Sequence, residues 1–208
     1  MTKLKKIILI GASGQGKVVA EVLRACGTWE LIGFLDDDEN KPREFAGYPV
    51  LGPSSHLPDL SKDAQVVITI GDNKVRGEKA RQAKESGRTL PVIIHPSAVV
   101  APDAKIGEGT VIMAGSIIQP GTQIAMNGII NTGATIDHDC RLYDNVHICP
   151  GAHLAGNVVV QARAWVGIGS SIIQNLNIGE DAIVGAGAAV VADVSPGTTV
   201  GGVPAKAL

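Results

Sequence analysis

Along the second half of the chain an aliphatic residue recurs at every sixth position. Stepping by six from Ile94, the chain carries Val100, Ile106, Ile112, Ile118, Ile124, Ile130, Ile136, Leu142, Ile148, Leu154, Val160, Val166, Ile172, Ile178, Val184 and Val190, so all seventeen positions are Ile, Leu or Val. Four residues after each, the side chain is usually small, as at Ala98, Ala104, Ser116, Ala134, Cys140, Ala152, Ala164 and Ala188. A period of six fits neither the ~3.6-residue turn of a helix nor a plain alternation. It predicts a solenoid of short strands, each ending in a corner, with the aliphatic side chain pointing inward. Three such strands complete a triangular coil, so residue n stacks under residue n+18. The repeat runs without insertion from about Ile94 to Ser195, which confines any site to the outer faces. A single prism has shallow walls, and a small-molecule pocket needs a second one.

Residues 1–90 lack this period and alternate strand, turn and helix. Lys6–Ile10 reads as a strand, Gly11–Gly16 as a turn, and Lys17–Cys26 as a helix with Val18, Val19, Val22 and Leu23 apolar. Leu31–Leu35 and Ala64–Ile70 read as further strands, the second followed by Gly71-Asp-Asn-Lys-Val-Arg76 and a helix to Gly87. The alternation predicts a small parallel α/β domain over 1–90, joined through Pro91–Pro96 to a coil over 91–208. Gly11, Gly14 and Gly16 let a backbone approach a phosphate at a helix N-terminus. Their spacing is G-x-x-G-x-G, which is not the dinucleotide fingerprint. Asp36 and Asp37 stand at a strand end where a ribose or base comes within reach. A tight turn with solvated acids accounts for the same residues, and spacing leaves both readings open.

Composition narrows the class. Eighteen Lys and Arg against 20 Asp and Glu give a formal charge of −2, which offers no electrostatic case for nucleic acid or an anionic membrane. Only six of the 208 residues are Phe, Trp or Tyr, so the core is aliphatic. Three cysteines, Cys26, Cys140 and Cys149, do not make a disulfide framework and point to a reduced, cytoplasmic setting. The basic start followed by Ile7–Ile10 is read as a buried first strand, not a signal peptide. No stretch reaches the ~18 apolar residues of a membrane span.

Of five histidines, His56 and His95 lie near prolines in linking segments and read as structural or exposed. His138 falls at the third position of its hexad, where a side chain points outward, between Asp137 and Asp139. A neighbouring carboxylate raises its basicity and suits it to proton transfer; a solvated surface histidine fits the spacing equally. A zinc triad of His138, His147 and His153 is disfavoured, because separations of nine and six put the rings on different faces or far apart, so no metal is expected. Cys140 takes an inward slot and nothing basic in the sequence marks Cys149 as activated.

The six-residue run resembles the hexapeptide-repeat acyltransferases. Gly11-Ala-Ser-Gly-Gln-Gly-Lys-Val-Val19, Phe34-Leu-Asp-Asp-Asp38 and Ile70-Gly-Asp-Asn73 resemble the N-terminal domain of bacterial nucleotide-4-amino-sugar N-acetyltransferases, close to the sialic acid O-acetyltransferases. The resemblance covers the whole chain. It implies a Rossmann-like domain followed by a left-handed parallel β-helix, in a homotrimer with sites between neighbouring prisms. It places the nucleotide sugar at Ser13, Gly14, Gln15, Asp36 and Asp37, with Gly71 and Asn73 in the third motif. Gln15 departs from the family, which often has His there. The general base implied is His138, assisted by Asp139, in direct transfer from acetyl-CoA to a sugar amine. Residue 156, one coil beyond His138, is glycine, which leaves room for the thioester and an N–H for the oxyanion. Asn131 is a candidate to orient substrate or base. His147, Ile168 and Ala186 match positions along acetyl-CoA, and Lys206 stands near the chain end as a candidate for a CoA phosphate. The activity implied is acetylation of the 4-amino group of a nucleotide-linked 4-amino-4,6-dideoxy sugar, UDP preferred over GDP or dTDP, for a surface glycan. A sialic acid O-acetyltransferase and a non-catalytic binding module are the alternatives.

Overall fold

The computed structural model describes residues 4–208. It begins with β1 (Lys5–Ile10), α1 (Gly14–Cys26) and β2 (Trp29–Leu35), continues through a small hairpin of β3 (Glu44–Phe45) and β4 (Tyr48–Pro49) and a 3₁₀ turn at Ser54–Asp59, and returns to β5 (Gln65–Ile68) and α2 (Asn73–Glu85). The strands β2-β1-β5 form a parallel sheet with β1 central. Helices cover both faces, so β1 reads as a continuous apolar run. Ile7 and Leu9 pack with Val19, Val22 and Leu23 of α1, while Ile8 and Ile10 pack with Ala80 and Ala83 of α2.

Ile10 pairs with both Leu35 and Ile68, so the loops after the three strands open side by side at the carboxyl edge. That edge is where open parallel sheets bind ligands. α1 begins at Gly14, three residues earlier than the sequence pattern predicts, because Ser13 caps it and draws the glycine turn into its first turn. A Cβ on Gly16 would lie 2.3 Å from the Gly11 carbonyl oxygen, so close approach of helix and loop demands glycine there. Neither the hairpin nor the 3₁₀ turn follows from the sequence pattern, since two-residue strands are too short to show a period.

From Ile93 the chain coils. Strands of two residues follow one another at six-residue intervals and fall into three parallel sheets. Ile117 pairs with Thr135 and Ile118 with Ile136, which is the eighteen-residue stack. The first residue of each strand faces outward and the second, the hexad aliphatic, faces inward. From Ile112 to Val190 these inward residues are at most 3% exposed; each buried side chain contributes about 1.5–3 kcal/mol. Many corners carry one residue in the left-handed region, filled by Gly, by Asn127, Asp139, Asn145, Asn157, Asn175 and Asp181, and once by Arg163. Asn and Asp tolerate that conformation better than other side chains. A final antiparallel pair, Thr199–Gly201 with Lys206–Ala207, follows the last coil.

The two parts share a core. Ile93, Val111 and Met113 of the coil pack with Ile7, Leu9 and Val19. Beside that apolar contact lies a polar one made by α2: Asn73 Nδ2 donates to the Arg163 and Ala164 carbonyls at 2.8 and 3.1 Å, and the Arg76 guanidinium reaches the carbonyls of Asn127, Asn145 and Val146. No helix among the described residues is long and apolar enough to cross a membrane.

Candidate active site

The carboxyl edge of the α/β sheet holds a cavity of about 290 Å³ lined by Gly11, Ser13, Asp36, Asp37, Gly71 and Lys79, among others. Ser13 donates from Oγ to the Thr69 carbonyl at 2.9 Å, and Asp36 accepts from the Ala12 and Asp38 N–H groups at 2.7 and 2.9 Å. Both residues thus shape the loop backbone while facing the cavity. Asp37 accepts from the Ser54 N–H at 2.7 Å and pairs with Lys79. Partial burial pushes its carboxyl up, but Lys79 and Ser54 outweigh that and hold it below the usual carboxylate range. Gly14 opens the first turn of α1, and a Cβ there would meet no atom within 4 Å; Gln15 follows it with Nε2 buried and unpartnered. Asn73 begins α2 outside the residues lining this cavity, and its side chain ties the helix to the coil.

A second cavity, about 450 Å³, lies on the outer face of the first coil sheet, where Asn131, His147, Ile168 and Ala186 meet Cys149, Trp165 and Gly185. Its walls are chiefly apolar and small. His147 is 5% exposed and its ring lies 4.2 Å from that of Trp165. Asn131 Oδ1 accepts from the Thr132 N–H at 2.8 Å, which leaves Asn131 Nδ2 to donate to His147 Nε2 at 3.1 Å. The proton of a neutral His147 therefore sits on Nδ1, which is buried without a hydrogen-bond partner. Burial first, and then the charge of Arg76, push this imidazole down to about 4. Asn131 follows a strand of the His147 sheet, and its side chain meets His147 and not the His138 corner.

His138 occupies the corner between Thr135–Ile136 and Arg141–Leu142. Its Nδ1 meets Asp139 Oδ2 at 2.9 Å, and its backbone N–H donates to Asp137 Oδ1 at 2.8 Å. The Asp139 hydrogen bond, with the nearby Asp137 charge, holds the imidazole above its ordinary value. Nε2 points over Gly156, where a Cβ would come within 2.5 Å of it. The Gly156 carbonyl accepts from the Asn175 N–H at 3.1 Å, and no hydrogen bond among the described residues uses the Gly156 N–H. Cys140 and Cys149 are buried, and burial pushes their thiols up to about 11 and about 12, so neither serves as a nucleophile.

Sequence-predicted residues thus gather in three places on one chain: the cavity at the carboxyl edge of the sheet, the His147 cavity and the His138 corner. Lys206 lies on the exposed closing strand, outside the residues lining the His147 cavity. Arg76, Lys79 and Trp165 are functional-site neighbours that sequence reasoning misses. Arg76 has a signal: Asn73, Arg76, Ala80 and Ala83 form a buried stripe at helical spacing along a helix otherwise rich in charge.

Residues 6–83 match the family model of the PglD N-terminal domain, and residues 103–138 match the model of the bacterial transferase hexapeptide (six repeats). A GDP-perosamine N-acetyltransferase of Escherichia coli O157:H7 is 31% identical over 166 residues, covering 76% of this chain and 74% of that protein. The chain belongs to the PglD-type hexapeptide-repeat acetyltransferases. A UDP-N-acetylbacillosamine N-acetyltransferase of Bacillus subtilis (strain 168) is 40% identical over 116 residues, 53% of this chain and 52% of that protein, so the match spans about half that relative's length. The acetyltransferase domain of PglB from Neisseria gonorrhoeae FA1090, solved in complex with acetyl coenzyme A, is 40% identical and superposes with a TM-score of 0.93 over 99% of this chain and 100% of that one. The coil is accordingly a left-handed β-helix.

Proposed function

We propose that the protein transfers acetyl from acetyl-CoA to the 4-amino group of a nucleotide-linked 4-amino-4,6-dideoxy sugar, with His138 as general base. One observation carries the reading: His138 is backed at Nδ1 by Asp139 and presents Nε2 over the unfilled space of Gly156. The amine attacks the thioester carbonyl as Nε2 takes its proton, so an N–C bond forms. The oxyanion draws on the Gly156 N–H. Collapse breaks the C–S bond, and the proton on His138 passes to the departing thiolate. The small, apolar walls around Ile168 and Ala186 fit a pantetheine arm, and the loop cavity at Ser13, Asp36, Asp37 and Gly71 fits the nucleotide.

His138 and His147 belong to a corner and to a sheet that does not border it, so one prism does not unite them. A homotrimer, in which the corner of one copy faces the His147 wall of the next, supplies the missing side. The protein then works in the cytoplasm, and its product enters a surface glycan. UDP is the preferred nucleotide in this reading and GDP its rival, the Bacillus subtilis relative being named for a UDP sugar and the Escherichia coli relative for a GDP sugar. The test is thiol release from acetyl-CoA with UDP-, GDP- and dTDP-linked 4-amino sugars and with free sialic acid. Turnover on one 4-amino nucleotide sugar supports the reading; turnover with sialic acid alone overturns it in favour of O-acetylation.

A further inference from the structure

Arg76 is a charged side chain for which the chemistry above has no use, and it is 0% exposed. All five of its N–H groups are spent on backbone carbonyls. Nε donates to Asn127 at 3.1 Å, Nη1 to Ile70 and Gly71 at 3.2 and 3.0 Å, and Nη2 to Asn145 and Val146 at 2.6 and 3.1 Å. No carboxylate hydrogen-bonds it among the described residues, and burial lowers it to about 9, still a cation at neutral pH. A buried charge is a poor source of stability compared with an apolar side chain of similar volume. Its retention therefore calls for a geometric reason, and the owners of the five carbonyls supply one.

Ile70 and Gly71 form the loop on the nucleotide-type cavity. Asn127 and Asn145 are stacked corners of successive coils, joined by an Asn127 Nδ2 to Asn145 Oδ1 bond at 2.7 Å. Val146 leads directly into His147. One rigid, planar group thus grips the wall of one cavity and the backbone just before His147, which lines the other. The Gly71 carbonyl accepts from Arg76 at 3.0 Å and is close enough to the His147 ring to favour its protonated form slightly. The groups around that ring are Arg76 and Gly71 from the α/β part and Asn131 and Trp165 from the coil, with no carboxylate in hydrogen-bond contact among the described residues.

We propose that Arg76 is a positioning residue that couples the two cavities: it fixes the Gly71 loop against the His147 wall, so that a nucleotide seated on the loop alters how His147 is held. The inference rests on the nucleotide-sugar reading. It places Arg76 outside the set that touches substrate and gives it a role that a mere domain clamp would not have.

The test uses the full chain as wild type and Arg76→Lys, which keeps the charge but loses the fork. The ring nitrogens of His147 are followed by NMR in 15N-histidine-labelled protein while UDP, GDP or dTDP is added. KM for acetyl-CoA and for the nucleotide sugar, and kcat, are measured on the folded fraction. Nucleotide is expected to move the His147 Nδ1 signal in the wild type and to leave it still in Arg76→Lys. Both KM values are expected to rise about tenfold or more, with a smaller fall in kcat. A lower Tm and smaller folded fraction with both KM values and the His147 response intact would overturn the proposal and leave Arg76 a structural clamp. Should Arg76→Lys not fold, the wild type decides alone, because saturating nucleotide binding without movement of the His147 nitrogens also overturns it. If calorimetry shows that the wild type binds none of UDP, GDP and dTDP, the nucleotide-sugar reading itself has failed and the coupling falls with it.

Discussion

His138 and His147 have the same side chain and opposite surroundings. His138 stands in solvent beside two carboxylates and gains proton affinity, chiefly from the Asp139 hydrogen bond. His147 is walled in by Trp165 and lies near Arg76, and it loses proton affinity. A general base must start neutral, so kcat/KM should fall as pH drops through a value above the ordinary 6.5 of histidine. Asp139→Asn removes the partner of the protonated form, which should move that acid limb to lower pH and reduce the plateau; a pH–rate profile of both proteins checks it. His147 works on stability. Its folded value is depressed, so between about 6.5 and about 4 the unfolded chain binds a proton that the folded chain refuses. Acidification through that window should cost on the order of 3 kcal/mol, seen as a drop in urea midpoint that His147→Asn largely removes. At this scale His138 was legible because its hexad position forces it outward. Arg76 offered only its helical spacing with Asn73, Ala80 and Ala83, and a cation in a Lys- and Glu-rich helix otherwise reads as solvated.

Strands and corners obey simpler rules, and the sequence spoke most clearly there. The six-residue period alone located each inward aliphatic residue and paired 138 with 156. What it missed were elements with no period, namely the two-residue hairpin at Glu44–Pro49 and the first turn of α1, which a single cap at Ser13 created. Two glycines separate stacking from chemistry. At Gly156 the nearest obstacle to a Cβ is the exposed tip of His138, and the backbone φ is not in the left-handed region. Gly156→Ala should therefore melt within about 1 kcal/mol of wild type while displacing the base and lowering kcat/KM at least about tenfold. At Gly107 a Cβ would strike the Ala125 backbone at 2.5 Å. Gly107→Ala should cost about 1–3 kcal/mol in thermal or urea unfolding.

For the whole molecule, the division into an α/β part and a coil was visible in the change of period near residue 90. How the parts sit was not, because Asn73 and Arg76 act across the join and their sequence context named only a motif. The separation of His138 from His147 on one chain makes association part of the account. The second coil sheet leaves Val99 exposed on its first strand and Ile173 and Val191 exposed just after its last two strands, at 61%, 42% and 50%. Light scattering should give about three times the 21.4 kDa chain mass. Mixing His138→Ala with His147→Ala, each inactive alone, should restore about a quarter of wild-type activity by random assortment of subunits. A monomer, or mixtures with no recovery, would contradict a shared site.

The central claim is that His138 accepts the proton of a sugar amine. The most direct measurement is kcat/KM for His138→Ala against wild type, on the nucleotide sugar with the fastest turnover, beside the two melting curves. The account predicts a loss of about 10²–10⁴-fold with nearly coincident melting, since the ring lies outside the core. Near-wild-type turnover in a well-folded His138→Ala would contradict it.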